Sequence, residues 1–246
     1  MSKILLCISS DLGLKIYKLI NKNEVDIFFC NPNLKLKIKS KLKTIRSKKR
    51  ACNISFILNK KDFNKKLHEK KKKYDFIILV YWPWLVKKNF FFKFNKSINF
   101  HPSFLPYGRG WYPHVFSQIE KFPYGVTLHE IDSEIDKGNI WCQKKINIPN
   151  FCKSNEIHSI AEKEIYFLFK NNYRKIFNGT LLSYKQNRVT KYYSKEKIKT
   201  LDKINLNSNK KFIDFINHIR IRTWKNKTFC YFVYKNKKKK IKIIIS

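Results

Sequence analysis

The first eighty residues switch repeatedly between two apolar periods. Residues 3–9 (KILLCIS) read as a short buried strand. Ser10 or Asp11 then offers a helix cap, and Leu12, Leu14, Ile16, Tyr17, Leu19 and Ile20 follow at spacings that make one apolar helical face. Residues 25–30 (VDIFFC) predict a second strand, broken by Asn31-Pro32-Asn33. Residues 34–50 are lysine-rich with Leu and Ile between, which predicts a solvated amphipathic helix. A third strand at 53–58, a helix capped by Asn59 through Phe63 and Leu67, and a fourth strand at 76–81 complete the series. The fourth is apolar without interruption, as a strand buried on both faces should be. The alternation predicts an α/β, Rossmann-like parallel sheet with helices on both faces. No GxGxxG follows the first strand, so the usual dinucleotide fingerprint is missing.

Further along, a strand should end at His101, because Pro102 cannot continue a central ladder. Another strand is expected at 140–148, a helix from about 155 to 169 and a polar connection over 171–200. The tail predicts a helix at 212–222 and two strands, 229–234 and 240–245, joined at Lys235-Asn236-Lys237. The reading is two domains, 1–185 and 186–246, with a linker at about 186–200 and a small C-terminal α+β appendage. That appendage is too small to fold well alone. Phe229, Tyr231 and Val233 alternate with Cys230, Phe232 and Tyr234, so both strand faces are apolar and are expected to dock, on the first domain or on a second subunit.

Composition narrows the classes. The chain has 246 residues, 43% of them hydrophobic, enough for a sizeable core. The longest apolar runs are about six or seven residues, far below the roughly 20 that a membrane helix needs, and the start shows no secretory signal. The six cysteines are scattered with no CxxC spacing, which argues against a zinc cage and a disulfide framework. A cytoplasmic protein without membrane partner or metal site is expected. The net charge of +37 invites a nucleic-acid reading. However, 47 of the 54 basic residues are Lys and only 7 are Arg, the better residue for bidentate phosphate contact. That is the pattern of an AT-rich genome, with lysine accumulating on solvated faces.

Residues 99–140 depart from this drift. They hold two of the 47 Lys (Lys121, Lys137), four of the six Gly and four of the seven Pro. Backbone geometry that Lys cannot supply is fixed there, which marks the stretch as the candidate site. Asn99 and His101 share one strand face at its carboxyl end, where open α/β sheets bind ligands. From spacing alone, a strand end whose polar side chains the next loop satisfies fits equally well. Asp136, two residues before Gly138, is a carboxylate on a tight turn. Asn, His and Asp together suit addition to a carbonyl: an amide donor for the oxyanion, an imidazole to move protons and a carboxylate to hold it. A nucleophile is less supported, since Ser103 lies in no GxSxG elbow and no Cys lies in the stretch.

The motifs INFHPSFLPYGRGWYP and GVTLHEIDSEIDKGNI, with the separation between them, resemble the 10-formyltetrahydrofolate-dependent formyltransferases. Tyr81-Trp82-Pro83-Trp84-Leu85-Val86 is similar to that family's folate-contacting loop. The resemblance implies a Rossmann-like formyltransferase domain and a catalytic triplet of Asn99, His101 and Asp136. It further implies 10-formyltetrahydrofolate as co-substrate, held by Trp82, Pro83, Trp84, Leu85, Ser103 and Gly138, and an acceptor met by Tyr107, Arg109, Gly110 and Trp111. Lys137 stands where a small residue is usual and Asn139 where an acid is frequent; Lys137 is expected to point to solvent. The short tail and the Arg109-Gly110-Trp111-Tyr112-Pro113 element resemble the sugar-nucleotide N-formyltransferases, which implies an amino-deoxysugar nucleotide as acceptor, surface glycan biosynthesis and a homodimer. The runner-up acceptor is aminoacylated initiator tRNA, as in the related methionyl-tRNA formyltransferase. A basic RNA-binding module without catalysis would explain neither the lysine-poor stretch nor the triplet.

Overall fold

The computed structural model describes residues 2–43, 53–70, 73–187, 190–209 and 211–244. The first half runs β1 (Lys3–Ile8), α1 (Asp11–Ile20), β2 (Glu24–Phe29), α2 (Leu34–Lys43), β3 (Ile54–Phe56), α3 (Lys60–Glu69), β4 (Tyr74–Val80) and β5 (Phe94–His101). There follow β6 (Arg109–Gly110), α4 (Pro113–Glu120), β7 (Gly125–His129), β8 (Ile140–Lys145), α5 (Ser154–Phe177) and β9 (Tyr192–Tyr193). The tail holds α6 (Phe212–Ile221), β10 (Thr223–Trp224), β11 (Lys227–Thr228), β12 (Tyr231–Tyr234) and β13 (Lys237–Lys240). Seven strands form one sheet in the order β3-β2-β1-β4-β5-β7-β8, and β1 to β5 run parallel. The expected α/β fold with a central parallel sheet is present. Residues 44–50 of the second expected helix lie outside the described residues.

By contact density the chain divides into two compact units that interleave along it. One comprises residues 1–101, 128–142 and 166–186; the other comprises 102–127, 143–165 and 187–246. In the first unit both faces of the sheet are covered. Leu5, Cys7, Phe28, Ile77 and Leu79 pack with Phe63 and Leu67 of α3, whose Asn59 cap accepts from the Asp62 N–H at 3.0 Å. On the opposite face Phe76 stacks on Phe177 at 4.3 Å and Phe100 meets Phe169 at 5.1 Å, both from α5. Gly13 of α1 lies so close to Ile8 that a Cβ would enter its side chain. The order of the strands reverses direction between β1 and β4, the kind of point at whose carboxyl ends open α/β sheets bind ligands.

Four expectations are refined. β5, expected only to end at His101, begins at Phe94, and Lys96 and Ser97 pair with Phe76 and Ile77 although their side chains carry no apolar signal. α5 runs to Phe177 instead of 169, since Tyr173, Ile176 and Phe177 continue its apolar face. The last strand is Lys237–Lys240, not 240–245. Lys235 and Asn236 both take positive φ, a two-residue turn that sets Tyr234 opposite Lys237. Within this chain the cover expected for 229–234 is partial. Cys230 is buried with Ile204 and Ile219 in the core of the second unit, whereas Val233 and Tyr234 are exposed.

One polar group lies deep in the first unit. Asp26 of β2 is fully buried and accepts from the Tyr74 hydroxyl at 2.7 Å, the Lys70 ammonium at 3.1 Å and the Asn53 N–H at 3.1 Å. Burial alone would push its carboxyl up; the three donors outweigh burial and hold it below the usual range. A carboxyl lowered by folding adds stability above its unfolded pKa, and that stability drains as pH falls through the folded value. Tyr74→Phe is therefore expected to cost about 1.5–3 kcal/mol near neutrality, with the gap to wild type narrowing below about pH 4. Urea titrations at several pH values check both the size and the narrowing.

Candidate functional site

The site residues of the first unit stand where strands end. β5 pairs with β4 so that Asn99 lies beside Leu79, and alternation puts His101 on the same face. β7, which the sequence does not announce as a strand, ends at His129. The chain then loops outward through Asp132, Ser133 and Glu134, all exposed, and returns with Asp136. Asp136 sits at φ 53°, a left-handed conformation that Asp tolerates better than most residues.

These elements bring four side chains together. Asp136 Oδ2 lies 3.7 Å from His101 Nδ1 and its Oδ1 lies 3.5 Å from His129 Nε2. The Asn99 amide nitrogen is 2.9 Å from His129 Nε2 and 3.4 Å from Asp136 Oδ1. His129 Nδ1 donates to the Glu130 carbonyl at 2.6 Å. The cluster is nearly dry: side-chain exposure is 6% for His101, 2% for His129 and 10% for Asp136. A carboxylate beside an imidazole favours its cation and orients the ring. The 3.7 Å separation is longer than a hydrogen bond, and such pairs often tighten only with a substrate bound.

The turn that carries Asp136 is held by main-chain contacts. Gln186 donates to the carbonyls of Asp136 at 3.0 Å and Gly138 at 2.8 Å. The Glu130 N–H reaches the Asn139 carbonyl at 2.7 Å. At Gly138 a Cβ would enter the Glu130 carbonyl oxygen. Lys137, expected to point to solvent, is half-buried and pairs with the exposed Glu134. His129 and Gln186 are the residues that sequence reasoning missed. His129 had a signal, the alternation of Thr127 and His129 with Val126 and Leu128; Gln186, in a polar connection, had none.

The remaining expected residues are placed as follows. In the first unit Trp82 and Trp84 meet edge to face at 5.1 Å, and Trp82 also packs on Phe63 at 5.2 Å. Pro83 and Leu85 are half-buried between and beside them. The Trp82 indole nitrogen is buried and has no hydrogen-bond partner among the described residues. In the second unit the Ser103 hydroxyl donates to the Tyr107 carbonyl at 2.7 Å and the Ser103 carbonyl accepts from Thr127 at 2.7 Å, so Ser103 staples its own loop. Tyr107 stacks on Phe122 at 6.0 Å. Arg109 is buried and donates to the Thr190 carbonyl at 3.1 Å. Gly110, at φ 92°, lets the chain pass the Tyr193 carbonyl where a Cβ would collide. Trp111 is half-buried, with the Lys195 ammonium 5.1 Å from its ring centre.

A second imidazole pairing lies in the second unit, where His114 Nε2 is 2.8 Å from Ser154 Oγ. Both are buried, and burial, aided by His158 and Arg222, pushes the imidazole down to about 3. It is a neutral partner for a hydroxyl at the start of α5, sealed from solvent. Among the described residues no group of three His, Cys, Asp or Glu is placed to hold a metal ion.

The chain is similar to known proteins of one family. The profile of the family described as formyl transferase matches residues 19–166. A dTDP-4-amino-4,6-dideoxyglucose formyltransferase of Mycobacterium tuberculosis is 30% identical over 128 residues, 52% of this chain and 55% of that protein. The match thus spans about half the length of this curated relative. Among solved structures, a 4-N formyltransferase from Francisella tularensis superposes with a TM-score of 0.84 at 24% identity, over 100% of this chain and 98% of that one. An N-formyltransferase from Helicobacter canadensis, in complex with folinic acid and dTDP-3-aminofucose, gives 0.73 at 21% identity, over 97% and 86%.

The close approach at Gly138 yields a stability test. Gly138→Ala is expected to cost about 1–3 kcal/mol through overpacking against the Glu130 carbonyl. Lys137→Ala, one residue away and paired with the exposed Glu134, should stay within about 0.5 kcal/mol of wild type. Chemical denaturation of the two variants makes the comparison.

Proposed function

Because the chain belongs to the formyl transferase family, we propose that it moves the formyl group of 10-formyltetrahydrofolate to the amine of a nucleotide-linked amino-deoxysugar, in surface glycan biosynthesis. The observation that carries the reading is the meeting of Asn99, His101 and Asp136 in a nearly dry cluster at the strand ends, within the family-matched residues. The substrate class draws support from the relatives, one named for an amino-deoxysugar nucleotide and one solved with folinic acid and such a sugar.

The residues divide the work as follows. The unprotonated amine attacks the formyl carbon, and the carbonyl becomes an oxyanion. Asn99 has one amide hydrogen held at 2.9 Å by His129 and one at 3.4 Å from Asp136. The longer bond is the one to be exchanged for the oxyanion. His101 takes the proton released by the attacking nitrogen and returns it to the folate N10 as the C–N10 bond breaks. Asp136 holds the imidazole and stabilises its cation. The products are the sugar formamide and tetrahydrofolate. Folate contacts are assigned to Trp82, Pro83, Trp84, Leu85, Ser103 and Gly138, and acceptor contacts to Tyr107, Arg109, Gly110 and Trp111. The hydrogen bond already made by the Ser103 hydroxyl leaves packing and main-chain contact as its main contribution.

The test is an acceptor screen with 10-formyltetrahydrofolate, a panel of amino-sugar nucleotides and methionyl-tRNA. Formylation of at least one amino-sugar nucleotide and none of the tRNA is expected. His101→Ala and Asp136→Asn should each lower turnover at least about a hundredfold; near-normal turnover in His101→Ala would overturn the assignment. The +37 charge favours the tRNA alternative. Activity on tRNA that falls steeply with salt would establish that alternative.

A further inference from the structure

We infer that His129 is a positioning residue that fixes the Asn99 amide in the orientation the oxyanion needs. The inference rests on the acyl-transfer reading above and adds to it a residue that the triplet omits.

One carbonyl fixes the tautomer of His129. His129 Nδ1 lies 2.6 Å from the Glu130 carbonyl oxygen, which can only accept, so Nδ1 carries the ring hydrogen. In the neutral imidazole Nε2 is then an acceptor. It faces the Asn99 side chain at 2.9 Å. With the ring neutral, an amide turned the other way would set its oxygen against the Nε2 lone pair, so the nitrogen faces His129. A second constraint has the same sense. His129 Nε2 and Asp136 Oδ1 are acceptors only 3.5 Å apart, and the Asn99 NH2 group is the donor that serves both. Of its two bonds, the one to His129 is short and the one to Asp136 long. The short bond anchors the amide, and the long bond leaves a hydrogen whose weakly held acceptor the oxyanion can replace.

Other roles fit His129 less well. Both ring nitrogens already have partners and the side chain is 2% exposed, so it does not reach a substrate as an acid or base. As a space-filler it would need no acceptor, and an apolar residue would serve at the end of a fully buried strand.

The closing experiment pairs kinetics with a readout independent of acceptor. His129→Leu should lower kcat by about 10–100-fold with both KM values within about twofold. His129→Gln, whose amide oxygen can accept from Asn99, should recover most of the loss. Because His129 acts through Asn99, the double variant Asn99→Ala/His129→Leu should be no slower than Asn99→Ala alone. Normal kcat in His129→Leu, or losses that multiply in the double variant, would overturn the inference. Imidazole nitrogen-15 spectra of the wild-type protein should show His129 protonated at Nδ1. Protonation at Nε2 alone would overturn it too, and this measurement stands even if His129→Leu fails to fold or no amino-sugar nucleotide proves to be the acceptor.

Discussion

The candidate site depends on a place where the chain meets itself. The Glu130 N–H binds the Asn139 carbonyl, the Glu130 carbonyl accepts from His129 and presses on Gly138, and the Glu130 side chain accepts from Ser183 at 2.8 Å. The residues between are closed into a loop whose tip is solvated and whose returning arm presents Asp136. Strand ends are stiff and loops are not, yet the carboxylate must stand within ångströms of an imidazole fixed by the sheet. The pinch, with Gln186 bonded to two carbonyls of the turn, extends the rigidity of β7 to a residue seven positions beyond it.

What was legible in the sequence follows from what leaves a periodic trace. The unbroken apolar runs of β1, β2 and β4 announce buried parallel strands. Asn99 and His101 stand out because they alternate with Ile98 and Phe100 just before a proline. Asp136 stands out for the glycine two residues on. His129 is hidden for a physical reason: a polar residue ending an apolar strand looks the same whether its partner is water or an amide 30 residues away. Gln186 acts through a side-chain amide on main-chain carbonyls, which imposes no pattern on its neighbours. β13 consists of four lysines, and it pairs because the turn before it dictates the register, not because its side chains seek burial.

Lysine drift has left its mark on the fold without controlling it. Lys93 is nearly buried and donates to the carbonyls of His68 and Lys70, at 3.0 and 2.6 Å. Lys70 in turn neutralises Asp26, and Lys238 lies 3.7 Å from the centre of the Tyr231 ring. A long aliphatic stem with a cationic tip can cover apolar surface and still reach water or a carbonyl, so many positions accept it at small cost. The stretch around Asn99 and Asp136 offers few such positions, because its glycines meet other backbone and its polar groups meet each other.

The loop after β4 carries an optical property. Of the five tryptophans in the chain, Trp82 and Trp84 touch at nearly a right angle, while Trp141 is buried with its indole bound to the Ser97 carbonyl at 2.8 Å. Two indoles in contact share their excited states, and the sign and strength of the resulting near-ultraviolet ellipticity depend on the angle between the rings. A directly coupled pair of indoles therefore lies in the segment assigned to folate. A rearrangement of that segment would change the protein's circular dichroism with no label attached, against a steady contribution from Trp141.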